Sequence, residues 1–259
     1  MEIPEHLAAL REQGELLAAA AERVDHAATV PGAPAWQVAD LIRHVGLVHR
    51  WAAGAVREGR QDATAYGSDD GSDVAGAALV EWFRAGHAAL VETLAAADPA
   101  VQCFTFLPAP SPVAFWARRQ TPETGIHRAD GASAGGPVTP FAVALALDGL
   151  DEIIAGFGGR RSSEWTAPQR TLGLLPTDAP ADGWLVHVGA AGSTPVRSPE
   201  AAAGAECVVR GTASDLYLLL WNRAAVAEIG GDPEVLAAWS KRVRVRWGGP
   251  GPRGARPGP

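Results

Sequence analysis

The stretch "WQVADLIRHVGLVHRWAAGAV", residues 36–56, sets the architecture of the first half of the chain. Val38, Leu41, Ile42, Val45 and Val48 recur at three- and four-residue steps, the stripe of an amphipathic helix. His44 lies on the flank of that stripe with Leu41, Val48 and Trp51. His49, five steps further on, is rotated from His44 by about 140°. Such a stripe needs partner helices, and the flanking sequence supplies them. Residues 4–27 carry Leu7, Leu10, Leu17 and Val24 at helical spacing before the breaker "TVPGAPA". A polar loop, "TAYGSDDGSD", leads into the helix "VAGAALVEWFRAGHAALVETLAAAD". The connector "LPAPSP" opens a fourth helical segment, and residues 138–157 form a fifth. Long helices with short breaks predict an antiparallel bundle.

After Gly158 the texture changes. "RTLGLL", "GWLVHVG" and "AECVVRG" are short apolar runs bounded by turn formers, as strands are. "TASDLYLLLWNRAAVAEI" reads as a helix opened by Thr212, with Asp215 in capping-box position. "DPEVLAAWSKR" follows as a short helix and "VRVRW" as a last strand. The expected organisation is an all-α helical bundle domain over 1–158, a small α+β domain over 159–247, and a disordered tail over 248–259.

Bulk composition excludes several functions. The net charge of −7 argues against nucleic acid as a partner, since phosphates need a basic face. The basic stretch from Lys241 to Arg256 reads as a solvated tail. Two distant cysteines, Cys103 and Cys207, rule out a disulfide framework or a cysteine-built zinc site and fit reduced thiols in the cytoplasm. No apolar run approaches the roughly 20 residues of a membrane span. Lys241 is the single lysine against 21 arginines, a skew that fits GC-rich coding.

The chemistry concentrates in "RQTPETGIHRAD", residues 119–130. Glu123 and His127 stand one helical turn apart, so both project from one face. By spacing alone they read first as a solvated helical ion pair; with His44 they also offer three ligands to a divalent metal, the other reading. Pro122 removes a backbone donor and crowds the carbonyl of Arg118, and Gly125 adds about 1 kcal/mol of helix penalty. A kink here would re-aim Glu123. His87 and His187 read as structural, and Cys103 has no base nearby in sequence. Trp36, Trp51, Trp82 and Trp116 fall on bundle segments and read mainly as core. Arg84 and Arg223 are the candidates to anchor a carboxylate substrate or a thiol.

"WQVADLIRHVGLVHRW", then "FWARRQTPETGIHRAD" and "LALDGLDEII", resemble the mycothiol-dependent maleylpyruvate isomerase family, whose N-terminal domain is a DinB-like four-helix bundle. "LLPTDAPADGW", "VVRGTASDLYLLLWNR" and "GDPEVLAAW" resemble its sterol-carrier-like C-terminal domain. The likeness runs in order from about residue 5 to 240. It implies that His44, Glu123 and His127 are the metal-binding His, Glu and His, and that Arg223 occupies a position where the family often carries arginine. Thr121-Pro122 departs from the unbroken helix that normally leads into the Glu. The resemblance further implies a thiol cosubstrate, mycothiol, and a small electrophile, which the available arginines would accept as an anion, with cis-trans isomerisation or S-transfer as the outcome. Zinc is the default ion for two imidazoles and one carboxylate. A non-catalytic metal- or ligand-binding module and a metal-dependent hydrolase are the alternatives.

Overall fold

The structure, a computed structural model, describes residues 1–63, 70–158, 169–189 and 195–243. It divides into two compact units, Met1–Thr139 and a second that starts at Pro140. The predicted strand "VRVRW" and the tail lie, beyond Val243, outside the described residues.

The first unit contains helices α1 (Ile3–Arg23), α2 (Val38–Glu58), α3 (Ala77–Ala96) and α4 (Pro112–Ser133). α1 packs on α4 and α3, and α2 packs on α3 and α4, which closes a ring of four helices. α1 ends at Arg23, short of the expected residue 27, because the chain turns where the Ala28 N–H donates to the Asp25 carbonyl at 2.9 Å. The breaker "TVPGAPA" is a hairpin of β1 (Thr29–Val30) and β2 (Ala33–Gln37), so Trp36 sits on a strand rather than on a bundle helix. α2 then starts with a capping box between Gln37 and Asp40. α4 opens with Pro112 in its first turn and Ser111 capping the Ala114 N–H at 3.2 Å.

α4 runs as one helix straight through Pro122. Nearly its whole circumference is buried, so tertiary packing decides its conformation over propensity. Two hydroxyls brace the awkward turn. Thr121 Oγ1 lies 2.8 Å from the Ala117 carbonyl and 3.0 Å from that of His6, and Thr124 Oγ1 donates to the Gln120 carbonyl at 2.7 Å.

The bundle core consists of two apolar clusters. One gathers Leu7, Leu10, Ala52, Leu90 and Trp116; the other gathers Leu17, Leu41, Val45, Leu79 and Phe83. In sequence, α1, α2 and α3 each place buried polar groups or a glycine between their contributions to the two, namely Gln13 and Gly14, His49, and His87, and α4 carries Gln120 to Thr124 after its contribution to the first.

In the second unit, α5 (Val143–Asp151) continues as a π-helical turn over Glu152–Gly158. A mixed sheet follows, ordered β5 (Pro195–Arg197), β4 (Trp184–Val188), β3 (Arg170–Pro176), β6 (Cys207–Gly211), β7 (Glu228–Gly231). β3 and β6 are parallel and the other pairs antiparallel. Helices α6 (Pro199–Ala203), α7 (Ala213–Leu220) and α8 (Pro233–Arg242) complete the unit. The helix anticipated at 138–157 belongs here and not with the bundle, and the boundary falls at Thr139 rather than after Gly158. The cause is local. α5 packs on α7, and the Tyr217 ring lies so close to Gly149 that a Cβ there would come within 2.5 Å of it. The helix expected over 212–229 starts at the Thr212 cap as read but stops at Leu220. Asn222 takes a left-handed turn (φ 60°), residues 223–227 are irregular, and only Glu228 and Ile229 enter the edge strand β7. Among the described residues no helix is long and apolar enough to cross a membrane.

One close approach locks α2 to α3. The Trp82 indole lies on the bare backbone of Gly46, where a Cβ would come within 2.2 Å of the ring, and the Arg50 guanidinium covers the indole at 3.8 Å. Gly46→Ala therefore overpacks this contact and is expected to destabilise the protein by about 1–3 kcal/mol in urea unfolding. An unchanged midpoint would show that the indole moves aside freely.

Candidate metal centre

α2 buries Leu41, Ile42, Val45 and Val48, which leaves His44 at the edge of its apolar face. α4 presents Glu123 and His127 from successive turns. One ligand atom from each of the three lies within 4.8 Å of the other two. Glu123 Oε1 sits between the imidazoles, 3.6 Å from His44 Nε2 and 3.4 Å from His127 Nε2. The His44 and His127 rings meet edge-on with centroids 5.1 Å apart, and Trp36 closes on His44 at 5.0 Å.

Two further side chains on α4 complete the group. Arg119 binds Glu123 Oε2, which leaves Oε1 to face the imidazoles. Asp130 Oδ2 is 3.3 Å from His127 Nδ1 and so directs Nε2 toward Glu123. His127 and Glu123 side chains are 1% and 10% exposed, against 17% for His44, so solvent reaches the cluster mainly at His44.

Burial alone would raise the Glu123 carboxyl, yet Arg119 and the two histidines hold it well below the usual carboxylate range. Burial opposes the His127 cation too, but Asp130 and Glu123 overcome it and raise that imidazole above its ordinary value. Burial lowers His44 despite Glu123, which favours the neutral, ligating form.

These residues fit a divalent cation. Two imidazole nitrogens and one ionised carboxylate oxygen converge, and a carboxylate stands behind one imidazole, the usual support of a metal-ligating histidine.

The other expected residues fall elsewhere. Arg84 is engaged by Glu22 at 2.5 Å, Glu81 at 3.1 Å and Glu15 at 3.4 Å, an ion network tying α3 to α1 rather than an anchor for substrate or thiol. Arg223 belongs to the second unit, where its guanidinium donates to the Trp221 carbonyl at 2.7 Å. Cys103 and Cys207 are buried thiols whose pKa burial raises, which disfavours the nucleophilic thiolate. His187 pairs across the sheet with Thr171.

Sequence reasoning passed over Arg119 and Asp130, although both stand in the quoted stretch. Arg-x3-Glu-x3-His-x2-Asp keeps helical spacing throughout and puts all four on one face. It also set His49 aside as rotated off the stripe. α2 is buried well beyond that stripe, and His49 is fully buried, its Nε2 2.8 Å from Thr124 Oγ1.

Asp130→Asn leaves the shape but weakens the support of His127, and should lower zinc affinity about 10- to 100-fold in chelator competition. Equal affinity would remove Asp130 from the centre. A second outcome concerns pH. Burial lowers the pKa of both His49 and His87, so the unfolded chain binds their protons first, and stability falls as pH drops through the ordinary imidazole value. His87→Phe should therefore reduce the loss of melting temperature between about pH 7.5 and 5.5. A loss as steep as in the parent would show that His87 does not contribute to it.

The mycothiol maleylpyruvate isomerase N-terminal domain family matches residues 7–132, and the MDMPI C-terminal domain family matches residues 144–238. No curated protein matches the chain. Among solved structures, a crystal structure of the mycothiol-dependent maleylpyruvate isomerase is similar with a TM-score of 0.59 at 16% identity, covering 85% of this chain and 88% of that one. A crystal structure of a histidine-to-alanine mutant of that enzyme is similar with a TM-score of 0.58 at 15% identity and the same coverage. With both family domains matched in order along its length, the chain belongs to the mycothiol-dependent maleylpyruvate isomerase family.

Proposed function

We propose that the protein is a metal-dependent, mycothiol-using isomerase of a small anionic electrophile, its helical unit DinB-like and its second unit sterol-carrier-like. The observation that carries this reading is the convergence of His44, Glu123 and His127 ligand atoms within 4.8 Å inside the bundle. Family membership supports mycothiol as the thiol. We place the enzyme in the cytoplasm, where its unpaired cysteines stay reduced.

His44, Glu123 and His127 would hold the ion, zinc by its donor set. When bound, it supplies Lewis acidity that lowers the pKa of a thiol at neutral pH. Asp130 orients His127, and Arg119 keeps one Glu123 oxygen occupied and the carboxylate ionised. Set against Glu123 and Asp130, Arg119 leaves one net negative charge; with a divalent ion bound and both imidazoles neutral, the set would carry one net positive charge, which would favour an anionic electrophile. The sulfur then adds to a conjugated cis double bond, moving the electron pair onto the conjugated carbonyl. Rotation about the resulting single bond and cleavage of the C–S bond give the trans product and return the thiol.

The test uses purified protein and its His44→Ala variant. Elemental analysis should find one ion per chain in the parent and a large loss in the variant. Incubation with mycothiol and activated cis-alkenes, followed by mass spectrometry, should give the isomerised product with thiol regenerated. A stable thioether would instead identify an S-transferase. Turnover without thiol would point to a hydrolase, and equal metal content in both proteins would end the metal assignment.

A further inference from the structure

The layer of polar groups that lies, in sequence, between the two apolar clusters is not absorbed by the proposed chemistry. At its centre His49 of α2 and His87 of α3 meet with ring centroids 5.1 Å apart. Phe83 stacks on His87 at 5.9 Å, nearly parallel. α1 contributes Gly14, and the His87 ring fills the space a side chain would take, since a Cβ there would lie 2.2 Å from Nε2. The position of His87 is thus written into α1 as well as α3.

Toward α4 the layer ends on one directed hydrogen bond. The Thr124 hydroxyl donates its single proton to the Gln120 carbonyl at 2.7 Å. It can therefore only accept from His49 Nε2, 2.8 Å away, which fixes His49 as the tautomer with its proton on Nε2. Thr124 follows Glu123 directly and stands two residues after Pro122. This turn of α4 has the poorest intrinsic propensity in the helix, and the side chain it must aim is Glu123.

We propose that His49 is a positioning residue for the metal centre. Acting through Thr124 and backed by His87 on Gly14, it holds the Pro122–Gly125 turn so that Glu123 faces His44 and His127. The proposal rests on the metal assignment above and concerns which residues fix its geometry. It assigns His49 no contact with the ion, the thiol or the substrate.

The test measures zinc affinity by chelator competition, the visible spectrum of the cobalt-loaded protein, and the melting temperature of the metal-free protein. The variants form two pairs. Thr124→Val removes the acceptor and Thr124→Ser keeps it; His49→Phe removes the donor and His49→Gln keeps a donor at the same reach. His49→Phe strands no polar group, because the Thr124 hydroxyl still bonds to Gln120, so it stays folded even where Thr124→Val does not. Thr124→Val and His49→Phe should each lose about 10- to 100-fold in zinc affinity and shift the cobalt spectrum, while the Ser and Gln variants stay close to the parent. A lower melting temperature with unchanged affinity and spectrum makes the layer purely structural and overturns the proposal. No zinc binding by the parent itself overturns the metal assignment, a result distinct from equal binding by parent and variants.

Discussion

The structure depends on keeping one carboxylate, Glu123, ionised inside a helical bundle. An unpaired buried charge is strongly disfavoured, and removing one partner of a buried pair is far more damaging than losing a surface contact. Arg119 takes one oxygen of Glu123, and His44 and His127 face the other. The distribution matters more than the count. Because Arg119 occupies only Oε2, the remaining oxygen faces the two imidazoles, and the arrangement that tolerates the charge is also a three-donor site.

That arrangement is reached on an unpromising helix. A proline and a glycine flank the turn that carries Glu123, so α4 has little tendency to be helical there by itself. Burial of nearly its whole circumference supplies the conformation, and Thr121 and Thr124, on either side of the proline, donate their hydroxyls to the Ala117 and Gln120 carbonyls that precede it. The polar layer between the apolar clusters follows from the same requirement. Every methylene-rich side chain it displaces is apolar area that the bundle forgoes, at roughly 25 cal/mol per Å². A core built for stability alone would place leucine or phenylalanine at His49 and His87, whose burial instead makes the fold sensitive to acid.

The large features were readable from periodicity. The apolar stripe over 38–48 gave α2, the texture change gave a sheet-containing second half, and the Thr212 cap fixed the start of α7. Features decided by tertiary contact were not. The Ala-rich run after Leu220 has no breaker except Asn222, whose left-handed turn is recognised only once β7 pairs with β6. Nothing in residues 138–157 says which core they join; Tyr217 against Gly149 decides that. At the site, Glu123 and His127 were legible as a pair one turn apart, a weak signal by itself, and it was the family resemblance that joined His44 to them. Arg119 and Asp130 kept the same helical spacing but look like ordinary surface charges until α4 is seen to be buried all round. His49 was lost to the assumption that a helix buries one stripe, which fails for α2.

The two imidazoles of the cluster are shifted in opposite directions. His44, at the solvent side, is lowered by burial, which favours its neutral form. His127, deep in the bundle between Glu123 and Asp130, is raised, because those carboxylates favour its cation against the opposing effect of burial. With a dication bound, His127 would ligate as the neutral imidazole, its proton released to solvent, and the ion would become the counter-charge to the same carboxylates.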